Sequence, residues 1–207
     1  MNAQALIETA RALVADDKGL LAMDESTSTC DKRFARLGIP QNEEARRAYR
    51  ELLVTTPGLG DSISGAILFD ETIRQQTNDG IPFLAVIARA GIIPGIKVDT
   101  GAKPLAGHPG EKITEGLDGL RERLAEYFQM GARFAKWRAV IAIGEGLPSR
   151  GCIESNAHGV VAWIESGPSF PMIQMDHAAI SRRRTECGRP ASSMRLRTAT
   201  PAAASAC

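Results

Sequence analysis

The stretch that decides the fold is Gly131-Ala-Arg-Phe-Ala-Lys-Trp-Arg138. Side chains of a β-strand alternate between two faces, so Phe134, Lys136 and Arg138 are expected to share one face of this strand. Trp137 is expected on the opposite face, among apolar neighbours. On this stretch alone two interpretations stay open: a solvated edge strand whose cations discourage aggregation, or a strand whose cationic face lines an anion-binding pocket.

Three earlier segments repeat this design, in which a short apolar run ends at charged side chains. These runs are residues 19–25, 63–70 and 94–99, and the charged residues at their carboxyl ends are Asp24, Asp70, Lys97 and Asp99. Helical periodicity separates the runs, and a repeated strand–helix order predicts a parallel α/β sheet. Because ligands bind beyond the carboxyl ends of parallel strands, charges of both signs at four successive ends favour the pocket interpretation.

The segments between the runs carry helical signals in their apolar spacing and at their ends. Residues 3–14 are predicted as an amphipathic first helix, and the hydroxyls of residues 26–29 are expected to cap a second helix that runs through Leu37. The remaining predicted helices begin at Asn42, cover 117–131 and cover 149–164. Residues 100–112 are rich in glycine and proline and are predicted as a long loop.

Composition excludes several classes of partner. The chain of 207 residues carries a net charge of +1 with a pI of about 7.7, so it has no global field for nucleic acid or a membrane surface. Its four cysteines are widely spaced and none forms a C-x-x-C pair, so neither a zinc site nor a disulfide framework is indicated, and a reduced cytoplasmic setting is expected. The first residues lack the pattern of a signal peptide, and no apolar run approaches the roughly 20 residues of a membrane span.

The charge pattern changes after residue 165. Residues 166–207 contain six arginines and no lysine, with only Asp176 and Glu186 as acids. We therefore predict a globular domain over 1–165 and an unrelated, disordered Arg-rich tail over 166–207. An arginine tail is also a candidate for nucleic-acid binding, but aromatic residues are not interleaved among these arginines, so no nucleic-acid partner is expected.

Several motifs in order make the chain resemble the N-terminal part of the class I (Schiff-base) fructose-bisphosphate aldolases. The motifs are LAMDEST (21–27), EEARRAYRELL (43–53), ISGAILF (63–69), GIKVD (95–99), GLDGL (116–120) and FAKWR (134–138). The resemblance runs from about residue 5 to about His158. It implies a partial (β/α)8 TIM barrel with about four of the eight strand–helix units, a cytoplasmic role in glycolysis or gluconeogenesis, no metal or cofactor, and a homotetramer.

The resemblance also implies roles for individual residues. It implies catalytic roles for Asp24 in proton transfer, for Lys136 in dehydration of the carbinolamine, and for Lys97 as an active-site lysine. The residues implied in substrate binding are Arg33, Arg46, Arg138 and Ser26. A bisphosphate needs cations at both ends, which agrees with this set. The implied partners are fructose 1,6-bisphosphate and triose phosphates.

The resemblance ends before the residue that would form the Schiff base. Lys136 is the last lysine of the chain, whereas the family carries its nucleophilic lysine on the sixth strand in a leucine–leucine–lysine–proline context. The Glu-Pro-Glu motif of the family's fifth strand is also absent. The abrupt change near residue 159 predicts a reading-frame shift or a gene truncation.

Two functions therefore stay open from the sequence. The first is aldol cleavage of fructose 1,6-bisphosphate to dihydroxyacetone phosphate and glyceraldehyde 3-phosphate, in which Lys97 or Lys136 would replace the missing nucleophile. The second is a non-catalytic fragment that binds sugar phosphate, forms a homo-oligomer or associates with a full-length paralogue. An open half-barrel has two free sheet edges, which favours association over a stable monomer.

Overall fold

Helices and parallel strands alternate along most of the chain in the computed structural model, which describes residues 3–15, 17–166, 172–174 and 177–180. Within these residues the helices are α1 (Ala3–Leu13), α2 (Thr27–Arg36), α3 (Glu43–Val54), α4 (Leu59–Ser62), α5 (Asp70–Ile73), α6 (Phe83–Arg89), α7 (Leu120–Met130) and α8 (Arg150–Ser166). The strands are β1 (Gly19–Ala22), β2 (Ile63–Leu68), β3 (Ile93–Lys97), β4 (Gly101–Pro104), β5 (Lys112–Glu115), β6 (Phe134–Trp137), β7 (Val140–Ile143), β8 (Met172–Gln174) and β9 (His177–Ile180).

The main sheet is parallel and has the strand order β1-β2-β3-β6-β8. Its first four strands are the four runs that the sequence predicted, which confirms an α/β fold built as a partial barrel. Strand β6 lies between β3 and β8, and all four of its residues are buried. The interpretation of this stretch as a solvated edge strand is therefore wrong.

The segment after residue 165 contributes two short strands to the described structure. Strand β8 pairs in parallel with β6, and β9 pairs in parallel with β7. The rest of the predicted low-order tail over 166–207 lies outside the described residues. The division of the chain at residue 165 therefore stays a prediction.

The predicted long loop over residues 100–112 is in part a hairpin. Strands β4 and β5 pair antiparallel from Gly101 opposite Glu115 to Pro104 opposite Lys112, and residues 105–111 connect them. The sequence signal was weak because this connection is longer than the two-residue turns that mark most hairpins. The hairpin follows directly on β3, so it lies beside the carboxyl ends of the main strands.

Phe134 packs into the concave face of the sheet, where two glycines make room for its ring. A Cβ atom added at Gly95 would lie 2.2 Å from the Phe134 ring, and one at Gly65 would lie 3.1 Å from it. Phe134 is fully buried together with Leu13 of α1 and Ile67 of β2. The alternation predicted for β6 holds, because Trp137 belongs instead to the larger core between sheet and helices.

Helix ends match the sequence signals only in part. The side chain of Asn42 accepts a hydrogen bond of 2.9 Å from the amide of Ala45 and so caps α3 as predicted. Ser26 occupies the N-cap position of α2, but its side chain makes no capping bond. Its hydroxyl instead lies 3.0 Å from the hydroxyl of Thr29, so the predicted capping role of Ser26 is wrong.

Candidate active site

A buried polar contact joins the carboxyl ends of the first and fourth strands of the main sheet. Lys136 of β6 donates from Nζ to Oδ2 of Asp24, two residues beyond β1, at 2.5 Å. Both residues are buried. Burial makes the pair interdependent, because either charge left alone in the interior would lack a partner.

This contact requires a curved sheet. Strands β2 and β3 lie between β1 and β6, and neighbouring strands are about 4.8 Å apart, so a flat sheet would separate β1 from β6 by about 14 Å. Curling brings the carboxyl ends of the outer strands towards each other across the concave face. The Lys136–Asp24 pair lies on this face above the Phe134 ring, where the central ligand site of a barrel lies.

A second lysine–carboxylate pair lies on the neighbouring strand. Lys97 is opposite Lys136 in the register of β3 and β6, so the two side chains project from the same face. Lys97 Nζ donates to Oδ1 of Asp99 at 2.7 Å and also to the backbone carbonyl of Asp99. The amide of Gly101 donates to the same carboxylate oxygen at 3.1 Å. The other oxygen of Asp99 is buried and has no partner within the described part of the chain.

An open cavity of about 880 Å³ extends outward from Lys97 and Asp99. Its wall combines the ends of β2 and β3, the β5 strand of the hairpin and the first turns of α7. The charged and hydroxyl-bearing residues of this lining are Ser26, Asp70, Arg74, Lys97, Asp99, Thr100, Thr114, Glu115, Asp118, Arg123, Glu126 and Tyr127. The predicted site residues Ser26 and Lys97 thus share one cavity, whose size suits a ligand of the dimensions of a phosphorylated sugar.

The buried Arg50 of α3 holds Glu25, which lies three residues beyond β1. Arg50 donates to Glu25 Oε2 at 2.5 Å, to the Glu25 carbonyl at 3.0 Å and to Thr72 Oγ1 at 3.2 Å. Burial acts to raise the pKa of Glu25, but the charge and hydrogen bond of Arg50 outweigh it and lower that pKa. Burial also raises the pKa of the Cys30 thiol, which lies 3.4 Å from Arg50. Arg50 thereby holds the Glu25 carboxylate in its charged form beside Asp24.

Two arginines predicted to bind substrate phosphate are occupied by carboxylates. Arg33 pairs with Glu25 at 2.5 Å, and 57% of its side chain is exposed. Arg46 is buried, makes two bonds of 2.8 and 2.7 Å to Glu71, and pairs with Asp31 at 2.9 Å. The hydrogen bond to Glu71 contributes most to raising the pKa of Arg46. Neither arginine lines the cavity, so their phosphate-binding role stays a prediction.

Arg138 follows β6 directly, two residues after Lys136. Its backbone carbonyl accepts a hydrogen bond of 2.7 Å from the hydroxyl of Thr114 on the hairpin. This bond ties the end of β6 to a residue of the cavity wall. Asp24, Lys136 and Arg138 are not among the residues that line the cavity, and the Thr114–Arg138 bond is the described link between the end of β6 and its wall.

The described residues contain no group of three or more His, Cys, Asp or Glu side chains that could hold a metal ion. None of the described helices is long and apolar enough to cross a membrane.

Comparison with known protein families identifies the family of this chain. The sequence profile described as "Fructose-bisphosphate aldolase class-I" matches residues 5–165. The chain belongs to the class I fructose-bisphosphate aldolase family. A probable fructose-bisphosphate aldolase class 1 of Xanthomonas campestris pv. campestris is 66% identical over 163 residues, which cover 79% of this chain and 49% of the relative.

More distant aldolases agree in sequence and in structure. The chloroplastic fructose-bisphosphate aldolase 3 of Arabidopsis thaliana is 50% identical over 158 residues, which cover 76% of this chain and 40% of that protein. A Plasmodium falciparum aldolase, solved in complex with TRAP and a small-molecule inhibitor, superimposes with a TM-score of 0.79 at 44% identity. That match covers 82% of this chain and 50% of the Plasmodium chain. The chain thus spans about half the length of the aldolases it matches.

Sequence reasoning about aldolase residues missed the partners of the lysines and arginines. Asp99 was noted only as a charged strand end, yet it holds Lys97 by two contacts. Arg50 is only 2% exposed, and nothing in the sequence motifs alone singled it out as a buried arginine. Its position four residues after Arg46 on α3 would have placed both on one face of the helix, a signal for a shared buried face.

Proposed function

We propose that this chain is the substrate-binding half of a class I fructose-bisphosphate aldolase site, and that alone it binds fructose 1,6-bisphosphate and triose phosphates without forming the Schiff base. The observation that carries the proposal is the Lys136–Asp24 pair. A nucleophilic lysine must direct its amine at the substrate ketone, but Lys136 Nζ donates instead to the buried Asp24 carboxylate at 2.5 Å.

The other strand-end lysine is restrained in the same way. Lys97 Nζ donates to both the carboxylate and the carbonyl of Asp99. The family reaction, reversible cleavage of fructose 1,6-bisphosphate to dihydroxyacetone phosphate and glyceraldehyde 3-phosphate through a lysine Schiff base, is therefore assigned to a complete barrel.

Substrate binding requires cations and hydrogen-bond donors for the phosphate, but it does not require a nucleophilic lysine. Lys97 and Ser26 supply a cation and a hydroxyl in one cavity, and Arg138 follows Lys136 by two residues along the chain. Phosphate oxygens accept charge-assisted hydrogen bonds from such groups. We assign one phosphate of the substrate to this side of the cavity, and the sugar hydroxyls to the polar wall formed by Asp99 and Thr114.

Association with further chains is part of the proposal. Strand β1 pairs only with β2 within the described residues, so its outer edge offers unpaired backbone groups. Pairing with a second copy or a full-length paralogue in the cytoplasm would cover this edge. Analytical ultracentrifugation checks the point, because a monodisperse monomer across the micromolar range would contradict it.

The central experiment separates binding from catalysis. The protein is incubated with dihydroxyacetone phosphate and sodium borohydride and then mapped by mass spectrometry, while fructose 1,6-bisphosphate is titrated by calorimetry. We expect saturable binding and no covalent adduct on Lys97 or Lys136. An adduct on either lysine would establish Schiff-base chemistry in this chain, and an absence of saturable binding would reject the proposed function.

A matched pair of variants assigns the binding to the cavity. Lys97→Met removes the proposed phosphate cation, and Lys103→Met makes the same change at an exposed position of β4. Lys97→Met should weaken binding by roughly tenfold or more, as expected for loss of a charge-assisted contact, whereas Lys103→Met should not. Equal affinities of the two variants would place the ligand elsewhere.

A further inference from the structure

The loop of the β4–β5 hairpin is docked onto the start of α8 by a buried acid. Glu111 closes the loop and is only 3% exposed. Its Oε1 accepts a hydrogen bond of 2.7 Å from the amide of Ser149, the residue before α8. A helix start leaves its first amides without partners inside the helix, so an acceptor from elsewhere in the chain stabilises it.

Ser149 completes a capping arrangement drawn from two elements. Its hydroxyl accepts a bond of 3.1 Å from the amide of Cys152, three residues further on. In an ordinary capping box an acid at that third position returns a bond to the amide of the cap residue. Here the third position is a cysteine, and Glu111 of the hairpin supplies the returning carboxylate.

Two further contacts extend the docked surface. One turn along α8, Asn156 Nδ2 donates to the carbonyl of Lys112 at 2.9 Å. The imidazole of His108 lies against Gly151, where an added Cβ would meet it at 2.5 Å. His108 Nδ1 also lies 3.0 Å from Ser149 Oγ and 3.5 Å from Glu111 Oε2. The hairpin and α8 therefore meet through several polar contacts and through the close approach of His108 to Gly151.

The same hairpin carries part of the candidate site. Ile113, Thr114 and Glu115 line the cavity next to Lys97. Thr114 also donates to the carbonyl of Arg138 at 2.7 Å. A shift of the hairpin would therefore move both the cavity wall and the backbone of a predicted phosphate-binding arginine.

We propose that Glu111 is a positioning residue, which docks the hairpin onto α8 and thereby holds the cavity wall and Arg138 in place for the ligand. The ligand part of this inference rests on the proposed function, whereas the docking part does not. Glu111 itself is not among the residues that line the cavity, and its carboxylate contacts Ser149 and His108.

The docking is expected to depend on the charge of Glu111. The groups that face its carboxylate are His108 from its own loop and Ser149 and Cys152 from α8. The hydrogen bond from the Ser149 side chain contributes most to lowering the pKa of Glu111, and it outweighs burial. A carboxyl whose pKa is lowered by docking stabilises the docked state above its ordinary pKa of 4.5, and this contribution is lost as pH falls through the lowered value.

Amide hydrogen exchange and ligand titration test the two parts separately. In Glu111→Ala, the amides of Ser149 and Cys152 should exchange roughly five- to tenfold faster, as for loss of a helix cap, while amides of β2 and β3 keep their protection. The affinity for fructose 1,6-bisphosphate should fall several-fold. Glu122→Ala, on the exposed start of α7, is the matched control and should change neither measurement.

A conservative variant isolates the charge. Glu111→Gln keeps an acceptor for the Ser149 amide, so it should restore most of the protection and affinity at pH 7. It should also remove the change in the Ser149 amide chemical shift that accompanies acidification below about pH 4.5 in the unaltered protein. Persistence of that titration in the Gln variant would assign it to another group and overturn the charge dependence.

The remaining outcomes are decisive as well. Unchanged exchange at Ser149 in Glu111→Ala would overturn the docking. Faster exchange with unchanged affinity would overturn the positioning role alone. If the unaltered protein bound no fructose 1,6-bisphosphate, the proposed function and the positioning role would fail together, while exchange would still decide the docking.

Discussion

Two lysine–carboxylate pairs lie on adjacent strand ends, and they form by different routes. Lys97 pairs with Asp99, only two residues away along the chain. Lys136 pairs with Asp24, which is 112 residues away. Both are short contacts at buried or nearly buried side chains, yet only the second depends on how the whole sheet curves.

The first pair therefore depends on local chain geometry, whereas the second depends on the assembled barrel. The Lys97–Asp99 pair needs only a strand that ends and turns, and part of it can persist in an unfolded chain. The Lys136–Asp24 pair exists only when four strands are assembled and curled. The second pair should therefore respond to any change in the concave face, whereas the first should respond little.

The largest effect is expected from Lys136→Met. This variant leaves the buried Asp24 carboxylate without its cation, which should lower the free energy of unfolding by about 3–5 kcal/mol. Urea denaturation followed by circular dichroism measures it. The double variant Lys136→Met with Asp24→Leu should recover much of the loss, because no unpaired charge remains. A single variant as stable as the unaltered protein would contradict a buried pair.

An intermediate effect is expected from Gly95→Ala. This variant disturbs the packing of Phe134 on the concave face of the sheet, on which the Lys136–Asp24 pair depends. The added Cβ would lie 2.2 Å from the Phe134 ring, so the ring must move and stability should fall by about 1–3 kcal/mol. Gly19→Ala at the start of β1, where no atom lies within 4 Å of the added Cβ, is the control. Thermal unfolding compares the two, and equal midpoints would argue against the packing of Phe134 described above.

The smallest effect is expected from Lys97→Met. Asp99 keeps the amide of Gly101 as a donor, and the pair is partly local, so the loss should be about 1–2 kcal/mol. The comparison is made in the same urea series as for Lys136→Met. A loss as large as that of Lys136→Met would show that the local pair contributes as much to the free energy of unfolding as the long-range pair.

The strands of the main sheet were predictable because each is a short apolar run between helical segments. The alternation within β6 was predictable for the same reason, and it correctly separated Phe134 and Lys136 from Trp137. The hairpin over 101–115 was not, since its seven-residue connection carries no short-turn signal. The role of Arg50 also escaped prediction, because an arginine on a helix is usually exposed.

The amino-acid sequence by itself determined which side chains stand at the strand ends, since period-two alternation and strand order are local properties of the chain. It also indicated the family, through motifs that keep their order from residue 21 to 138, and the family profile matches residues 5–165. Only the tertiary structure decided which partner each charged side chain meets: Asp24 for Lys136, Glu71 and Asp31 for Arg46, and the Ser149 amide for Glu111. The physical reason is that these partners lie far apart in the chain, and curvature and packing of the assembled elements bring them within hydrogen-bond distance.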